Sequence, residues 1–489
     1  MRKLNCVCVF LCLVVEFHYG AMQTENVTES GTQMELVTSS APTDLVCSTC
    51  SCDAGAVDCQ KRDIRRPFLW EDWEGLKPHQ PTSVDLSFNP LGSLTKIAPL
   101  PIQHLTLSSC EIESIQGRSF SKLADLVTLD LSYNKIVSLD RQVFEGPTIP
   151  GQEPQPFAKM RTLNLSHNEL HALPQDLFIA LPELTTLDLS GNPLRYIDQV
   201  TMAAVTMLTK LKELNLSSCE LETLPEGLFR RQRRLERLDL SANLFTSVPA
   251  TLGETANLVY LRLDENPFAS LDEGTAISKL TSLQELHLNR LSKLQSISEG
   301  ALGQLESLTS LYLCCNRRLT TLDPGFLMWT DELEVERFPL LQKLHLNNNN
   351  LSIISSEYLD RWDRLVEVDV SNNPYTCDCH IQWMIDVLVP LLNSTGDASN
   401  MVCKRPQEVR GISLDKLSAM SKTLTCPDTE NLTQHPASDG AIILGIMIGI
   451  FVTFPLVFLT VIVWRRGYFT KCRARVIRVK EYDEDDDAF

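Results

Sequence analysis

Apolar residues fall in a recurring order between residues 81 and 375: L-x-x-L-x-L-x-x-N/C-x-L. The order begins at Pro81, Ile102, Leu126, Met160, Leu184, Leu211, Leu235, Leu258, Leu283, Leu308, Leu341 and Leu365. Most steps are 21 to 27 residues, but Met160 follows a step of 34 and Leu341 a step of 33. The longer steps carry EGPTIPGQEPQP and MWTDELEVERFP, which should leave the coil as loops away from the strands. Apolar side chains at positions four and six, such as Leu163 and Leu165, mark a short strand that turns both inward and position five outward. The ninth residue turns the chain, and its side chain is placed to cap backbone groups inside the coil. Asn89, Asn134, Asn168, Asn192, Asn243, Asn266, Asn316, Asn349 and Asn373 hold that place; Cys110 and Cys219 substitute, and Leu291 in the ninth unit fits worst. No single unit buries its apolar face, so twelve must stack into a curved parallel sheet, an α/β solenoid with the strands on its concave side.

Two uninterrupted apolar runs break this rhythm. Leu4 to Val15 follows Arg2 and Lys3 and reads as a signal peptide, residues 1–21, cut near Gly20 or Ala21. Ala441 to Trp464 carries no charge, and about 36 Å of helix suffices to cross a bilayer of roughly 30 Å. Arg465 and Arg466 follow it at once, so the positive-inside rule places the N-terminal bulk outside a plasma membrane as a single-pass type I protein. The layout expected is a flexible Ser/Thr/Glu-rich segment (22–46), a cysteine cap (47–80), repeats (81–375), a second cap (376–427), a linker (428–440), one transmembrane helix (441–464) and a cytoplasmic tail (465–489).

Net charge changes the picture by exclusion. At −18 the chain should repel nucleic acid and heparin as main partners. Of the sixteen cysteines, Cys6, Cys8 and Cys12 lie in the signal peptide and Cys472 in the tail. The others face an oxidising compartment, where disulfides persist.

Cys47, Cys50, Cys52 and Cys59 precede the first unit; NPYTCDCHIQWM, with Cys377, Cys379, Cys403 and Cys426, follows the last. Spacing alone allows three pairings at each end. With the repeats between them, residues 47 to 426 resemble the capped ectodomains of extracellular leucine-rich-repeat proteins, including Slit-like proteins and Toll-like receptors. The resemblance implies Cys47–Cys52, Cys50–Cys59, Cys377–Cys403 and Cys379–Cys426. The tail is too short for the Toll signalling domain, where the chain departs from that family.

Position five is the row that faces outward on the sheet. Its first seven residues are Asp85, Thr106, Asp130, Asn164, Asp188, Asn215 and Asp239. Asn164 and Asn215 are also acceptors for N-linked sugars, as are Asn26, Asn350, Asn393 and Asn431. The next four are Arg262, His287, Tyr312 and His345, with Tyr260, Glu285, Ser310 and Lys343 beside them at position three. Tyr and Arg are enriched among binding hot spots, so Arg262, His287, Tyr312, His345, Tyr260 and Lys343 form the candidate ligand surface. The bland alternative is a solvated row that drifts freely. His287 and His345 stand two strands apart, about 10 Å, too wide for a shared ion, so no metal and no cofactor is expected.

Smaller signals remain. The vicinal Cys314 and Cys315 belong to neither cap and are open to a local disulfide, free thiols or a bridge to another chain. Ala441, Gly445 and Gly449 offer a small-residue stripe for a homodimer. Cys472 is placed for palmitoylation, and Asp487-Ala488-Phe489 resembles a ligand for a PDZ-domain protein. No nucleophile–base pair, HExxH or phosphate loop suggests an enzyme. The function expected is a cell-surface protein-binding receptor or adhesion molecule with an extracellular protein ligand or cell-surface partner. The alternative is an innate-immune recognition or accessory receptor acting with a separate signalling partner.

Overall fold

A computed structural model describes residues 45–147, 155–357, 364–392 and 397–426, together with 453, 455–462 and 465. All lie in one compact unit that begins at Leu45. The signal peptide, Asn26, Asn393, Asn431, Cys472, the C-terminal tripeptide and most of the proposed membrane span fall outside the described residues. No helix among those described is long and apolar enough to cross a membrane.

One sheet of fourteen strands runs the length of the unit. Strands β1 (Ser51–Asp53) and β2 (Ala56–Asp58) form an antiparallel hairpin in the N-terminal cap, and β2 pairs in parallel with the first repeat strand. The repeats contribute β3 (Ser83–Asp85), β4 (His104–Thr106), β5 (Thr128–Asp130), β6 (Thr162–Asn164), β7 (Thr186–Asp188), β8 (Glu213–Asn215) and β9 (Arg237–Asp239). The row continues with β10 (Tyr260–Arg262), β11 (Glu285–His287), β12 (Ser310–Tyr312), β13 (Lys343–His345) and β14 (Glu367–Asp369). Each strand occupies positions three to five of its unit, and neighbours pair in parallel with like positions opposite, as Leu163 against Leu187 and Arg262 against His287. That register follows from the repeat, because a slip of one residue would put every inward leucine into water.

Positions four and six are buried in every repeat except at Val368, which is partly buried in the last: Leu163, Leu165, Leu214 and Leu216 are at most 2% exposed. On the far side of the core Phe120, Phe144 and Phe178 stack, with centroids 6.0 and 6.4 Å apart.

Asparagines at position nine close each coil onto the one before. Asn243 accepts from the N–H groups of Cys219 (3.1 Å) and Leu221 (3.0 Å) and donates to the carbonyls of Leu216 (2.8 Å) and Leu240 (3.0 Å). The same ladder is made by Asn89, Asn134, Asn168, Asn192, Asn266, Asn316, Asn349 and Asn373. Where cysteine substitutes, the thiol of Cys110 reaches the carbonyls of Leu86 (3.2 Å) and Ser108 (3.4 Å), and that of Cys219 the carbonyls of Leu189 (3.3 Å) and Ser217 (3.4 Å). A thiol has no amide oxygen to offer, so the N–H groups of Leu91 and Leu194 turn back to the carbonyls of Asn89 and Asn192. Burial pushes the Cys110 thiol up to about 11 and the Cys219 thiol up to about 12, so both act as small apolar groups.

Position eight, just before the ladder residue, is left-handed in all twelve repeats, with φ between +52° and +67°. Tyr133, His167 and Cys315 adopt it although side chains disfavour this region, because the ladder fixes both flanks. Gly191 is the one glycine in that row, and a Cβ there would meet Nδ1 of His167 at 2.5 Å.

Two sequence expectations need correction. MWTDELEVERFP forms an antiparallel hairpin, Trp329–Thr330 against Glu336–Arg337, tied by Asp331 to Arg337 at 2.8 Å, where a loop was expected. Leu291 does not break its unit: it is fully buried and its N–H donates to Asn316 at 2.6 Å. Of the three states left open for Cys314 and Cys315, the structure has the free cysteines. The other long step is described only at its margins.

Both ends of the core are closed. Cys47–Cys52 and Cys50–Cys59 hold the N-terminal cap, and Cys377–Cys403 and Cys379–Cys426 the C-terminal one, the pairs the resemblance implies. Asn89 ties the first cap to the ladder through the N–H groups of Arg62 and Ile64 and the carbonyl of Cys59. In the second cap Trp383 donates to the carbonyl of Ile354 at 3.0 Å, and the buried Tyr375 hydroxyl donates to that of Val370.

Candidate functional site

The first seven and the last members of the position-five row mostly serve the backbone. Asp85, Asp130, Asp188, Asp239 and Asp369 each accept the N–H of the serine two residues on, at 2.8 to 2.9 Å. Asn164 and Asn215 do the same through Oδ1, at 2.9 and 3.0 Å to the N–H groups of Ser166 and Ser217. The acidic half of the sheet face is therefore largely a row of Asx turns closing the strands. Attachment of a sugar at Nδ2 leaves the Oδ1 turn bond available, so both roles fit one residue. Asn350 is exposed.

Repeats eight to eleven abandon that turn. Their position-seven residues are Asp264, Asn289, Cys314 and Asn347 instead of serine. Here the side chain caps the next coil: Asp264 accepts the Asn289 N–H at 2.6 Å, and Asn289 accepts the Cys314 N–H at 2.8 Å. At these two steps position seven has taken over the backbone duty, while Asn347 Oδ1 is buried without a partner among the described residues; position five makes no Asx turn in any of the four repeats.

The released residues stack. Strand register puts Arg262, His287, Tyr312 and His345 in one row, with Tyr260 and Lys343 at position three alongside. Ring centroids of Tyr260 and His287 lie 5.2 Å apart, those of His287 and Tyr312 4.4 Å apart and nearly parallel, and those of Tyr312 and His345 4.9 Å apart. The Arg237 guanidinium lies 3.9 Å above the Tyr260 ring. Each exposed edge of the stack carries a charge. His287 Nε2 lies 2.7 Å from Glu285, His345 Nε2 2.9 Å from Glu367, and Lys343 3.0 Å from Glu367. Arg262 is held by the buried Asp264 at 2.7 Å and faces Asp239 at 3.8 Å. Lys343, then His345, hold the Glu367 carboxylate below its usual range, and burial raises the phenols of Tyr260 and Tyr312. The result is a rigid, half-buried strip across five strands, apolar in its faces and charged along its edges. Such rings expose contact area at little conformational cost.

Sequence reasoning named six of these residues but missed Arg237, Glu367 and Asp264. Arg237 and Glu367 sit at position three of the flanking repeats, where the register alone could have added them. Asp264 carried a signal too, as the first break in the serine row.

The strip opens at one end onto a cleft of about 220 Å³ between Asp188, Glu213, Asn215, Arg237, Asp239 and Tyr260. Its walls are polar, which suits a protein or sugar group better than a lipid chain. As to metal, the Tyr312 ring stands between His287 and His345. Among the described residues two triads, Cys47–Cys52–His79 and Asp378–Cys379–His380, bring ligand atoms together. Both count cysteines whose sulfur is already bonded in a disulfide and has no thiolate to give.

Residues 101–148, 158–212, 209–268 and 256–319 match the family model described as Leucine rich repeat. Over 250 residues the chain is 29% identical to Leucine-rich repeat transmembrane protein FLRT2 of Mus musculus, a match covering 48% of this chain and 37% of that protein. Over 298 residues it is 29% identical to Tsukushi of Gallus gallus, covering 60% of this chain and 73% of Tsukushi. The match thus spans little more than a third of FLRT2. Among solved structures, a chain from an octameric complex of Latrophilin 3 (Lec, Olf), Unc5D (Ig, Ig2, TSP1) and FLRT2 (LRR) aligns with a TM-score of 0.52 at 22% identity. That alignment covers 75% of this chain and 96% of the other. At this identity the likeness concerns the fold.

Proposed function

Since the chain is a leucine-rich-repeat protein closed by disulfide caps at both ends, we propose that it is a cell-surface receptor or adhesion molecule that holds a protein partner on its sheet face. The observation that carries this reading is the strip from Arg237 through Tyr260, His287 and Tyr312 to His345, where position five is freed from its backbone duty and stacked. A row that merely solvated the sheet would need neither the change at position seven nor stacked rings. The partner chemistry it suits is a protein surface with apolar groups to lie against the ring edges and charges of both signs to meet the Arg and Glu rims. FLRT2 occurring in an assembly with Latrophilin 3 and Unc5D supports a partner that is itself a cell-surface protein. The polar cleft favours this over capture of a microbial lipid.

The test is a binding screen of the purified full-length chain against cell-surface and secreted proteins, followed by the double variant Arg262→Ala/Tyr312→Ala. Loss of two hot-spot side chains should weaken the partner by about 2 kcal/mol or more, roughly thirtyfold. Removing Arg262 strips the buried Asp264 of its cation and lowers the unfolding midpoint, so binding is compared well below the midpoint of the variant, and Tyr312→Ala alone, which leaves that pair intact, should still weaken the partner. A partner that binds this variant as tightly as the parent sinks the proposal.

A further inference from the structure

We infer that the flank of repeats four to seven is a binding site for a sulfated polysaccharide, separate from the sheet-face strip. Despite the net charge of −18, the stretch RRQRR, residues 230–234, places four arginines within five residues. The fifth residue, Gln232, is buried and donates to the Val205 carbonyl at 2.9 Å, so the loop is pinned at its centre and its arginines splay outward. The Asn257 amide fixes the Arg233 carbonyl at 2.8 Å.

Density sets this loop apart. Many exposed cations elsewhere on the repeats meet a carboxylate, as Arg118 meets Glu145, Lys135 meets Glu111 and Arg290 meets Glu265, at 2.7, 2.7 and 2.9 Å. Those without an ion pair among the described residues, such as Lys96, Lys122, Arg141 and Lys293, stand singly, and Arg317 and Arg318 form only a pair. Arg230 reaches Glu254 at 3.7 Å. Arg231, Arg233 and Arg234 are exposed, and none has an ion pair among the described residues. The register then extends the patch. Arg234 and Lys210 each immediately precede the first leucine of their repeats, so stacked coils set them side by side. Glu183 beside them is shared between Lys210 and Arg161, one carboxylate for two cations.

The strip therefore presents a run of exposed guanidinium groups on a pinned backbone, three of them without an ion pair among the described residues. That geometry recognises planar or tetrahedral oxyanions in series, and arginine binds them better than lysine because its fork is preorganised. Net charge is the wrong measure for such a site, since screening confines each interaction to about 8 Å at physiological ionic strength. A flexible polyanion on the flank is repelled little by acids on the sheet face. A sulfated sugar chain fits this strip better than a duplex nucleic acid, whose width would press phosphates against the acidic neighbours.

Immobilised heparin, with desulfated heparin as control, is the probe for the purified full-length chain. The parent should be retained at physiological salt on heparin and not on the desulfated polymer. The variant Arg231→Ser/Arg233→Ser/Arg234→Ser should bind about tenfold or more weakly and show a salt slope shallower by roughly 2 to 3. A control removing the exposed Arg317 and Arg318 should leave binding unchanged. Equal loss in the control, retention on the desulfated polymer, or no retention of the parent overturns the site. So would salt-sensitive self-association in place of heparin binding that is lost in Glu332→Lys/Glu334→Lys, since that would assign the arginines to the acidic hairpin of a second copy.

Discussion

The most informative residues are those at which side chain and backbone exchange duties. At position nine an amide accepts from the coil before it and donates both to that coil and to its own, a task that needs a carbonyl oxygen and two N–H donors on one short side chain. Cysteine takes the same place but offers only sulfur, a weak acceptor, and the N–H groups of Leu91 and Leu194 turn to their own coil. This yields a quantitative expectation for Asn243→Ala. The N–H groups of Cys219 and Leu221 and the carbonyls of Leu216 and Leu240 would lose their buried partner, at a cost of about 3 kcal/mol. Denaturant unfolding of the variant measures it, and a loss below about 1 kcal/mol would mean that water replaces the amide. The residue scale also shows why the six candidate site residues were legible. Arg262, His287, Tyr312 and His345 departed from a position-five row otherwise filled by Asp, Asn and Thr106, and Tyr260 and Lys343 stood beside them at position three. That the row was structural elsewhere was not legible, because an Asx turn and a solvated aspartate look identical in sequence.

Elements here are small, and most take their form from neighbours. Strands of three residues have no independent stability; twelve hold because leucines of adjacent coils cover one another. The sequence marked each by its alternation. It did not mark the hairpin 329–337, whose acidic and apolar residues read as a loop, and whose pairing rests on Asp331 accepting from its own turn and from Arg337. Residues 332 to 337 are all exposed, with Leu333 at 79%. Replacing 329–337 by a short Gly/Ser link should therefore leave β12 and β13 paired and change stability by less than about 1 kcal/mol. Circular dichroism and a thermal melt of that variant decide it, and loss of a cooperative transition would show the hairpin to be part of the core.

At the scale of the whole molecule the fold is a stack with two ends, and cooperativity passes only between neighbours. The caps supply what the end coils lack. Reducing Cys377–Cys403 and Cys379–Cys426 should release loop entropy worth about 2 to 4 kcal/mol, and fraying should begin there. In native-state hydrogen exchange the amides of Leu346 and Val370 should lose protection before those of Leu187 and Leu214. Uniform loss along the array would show the stack to behave as a single cooperative block. The large scale also separates two surfaces that a net charge merges: a strip of stacked rings on the sheet face and a cluster of arginines on the flank.

The sequence by itself determined the repeat, its register, the inward leucines and the ladder asparagines. It could do so because each is set by spacing along the chain, and a periodic fold turns spacing directly into position. Only the tertiary structure decided what the outward residues do. Whether Asp239 closes a turn, whether His287 lies flat against Tyr312, and whether Arg234 finds a carboxylate all depend on the coil next door. Those contacts join residues more than twenty positions apart, where side-chain geometry and no local rule sets the outcome.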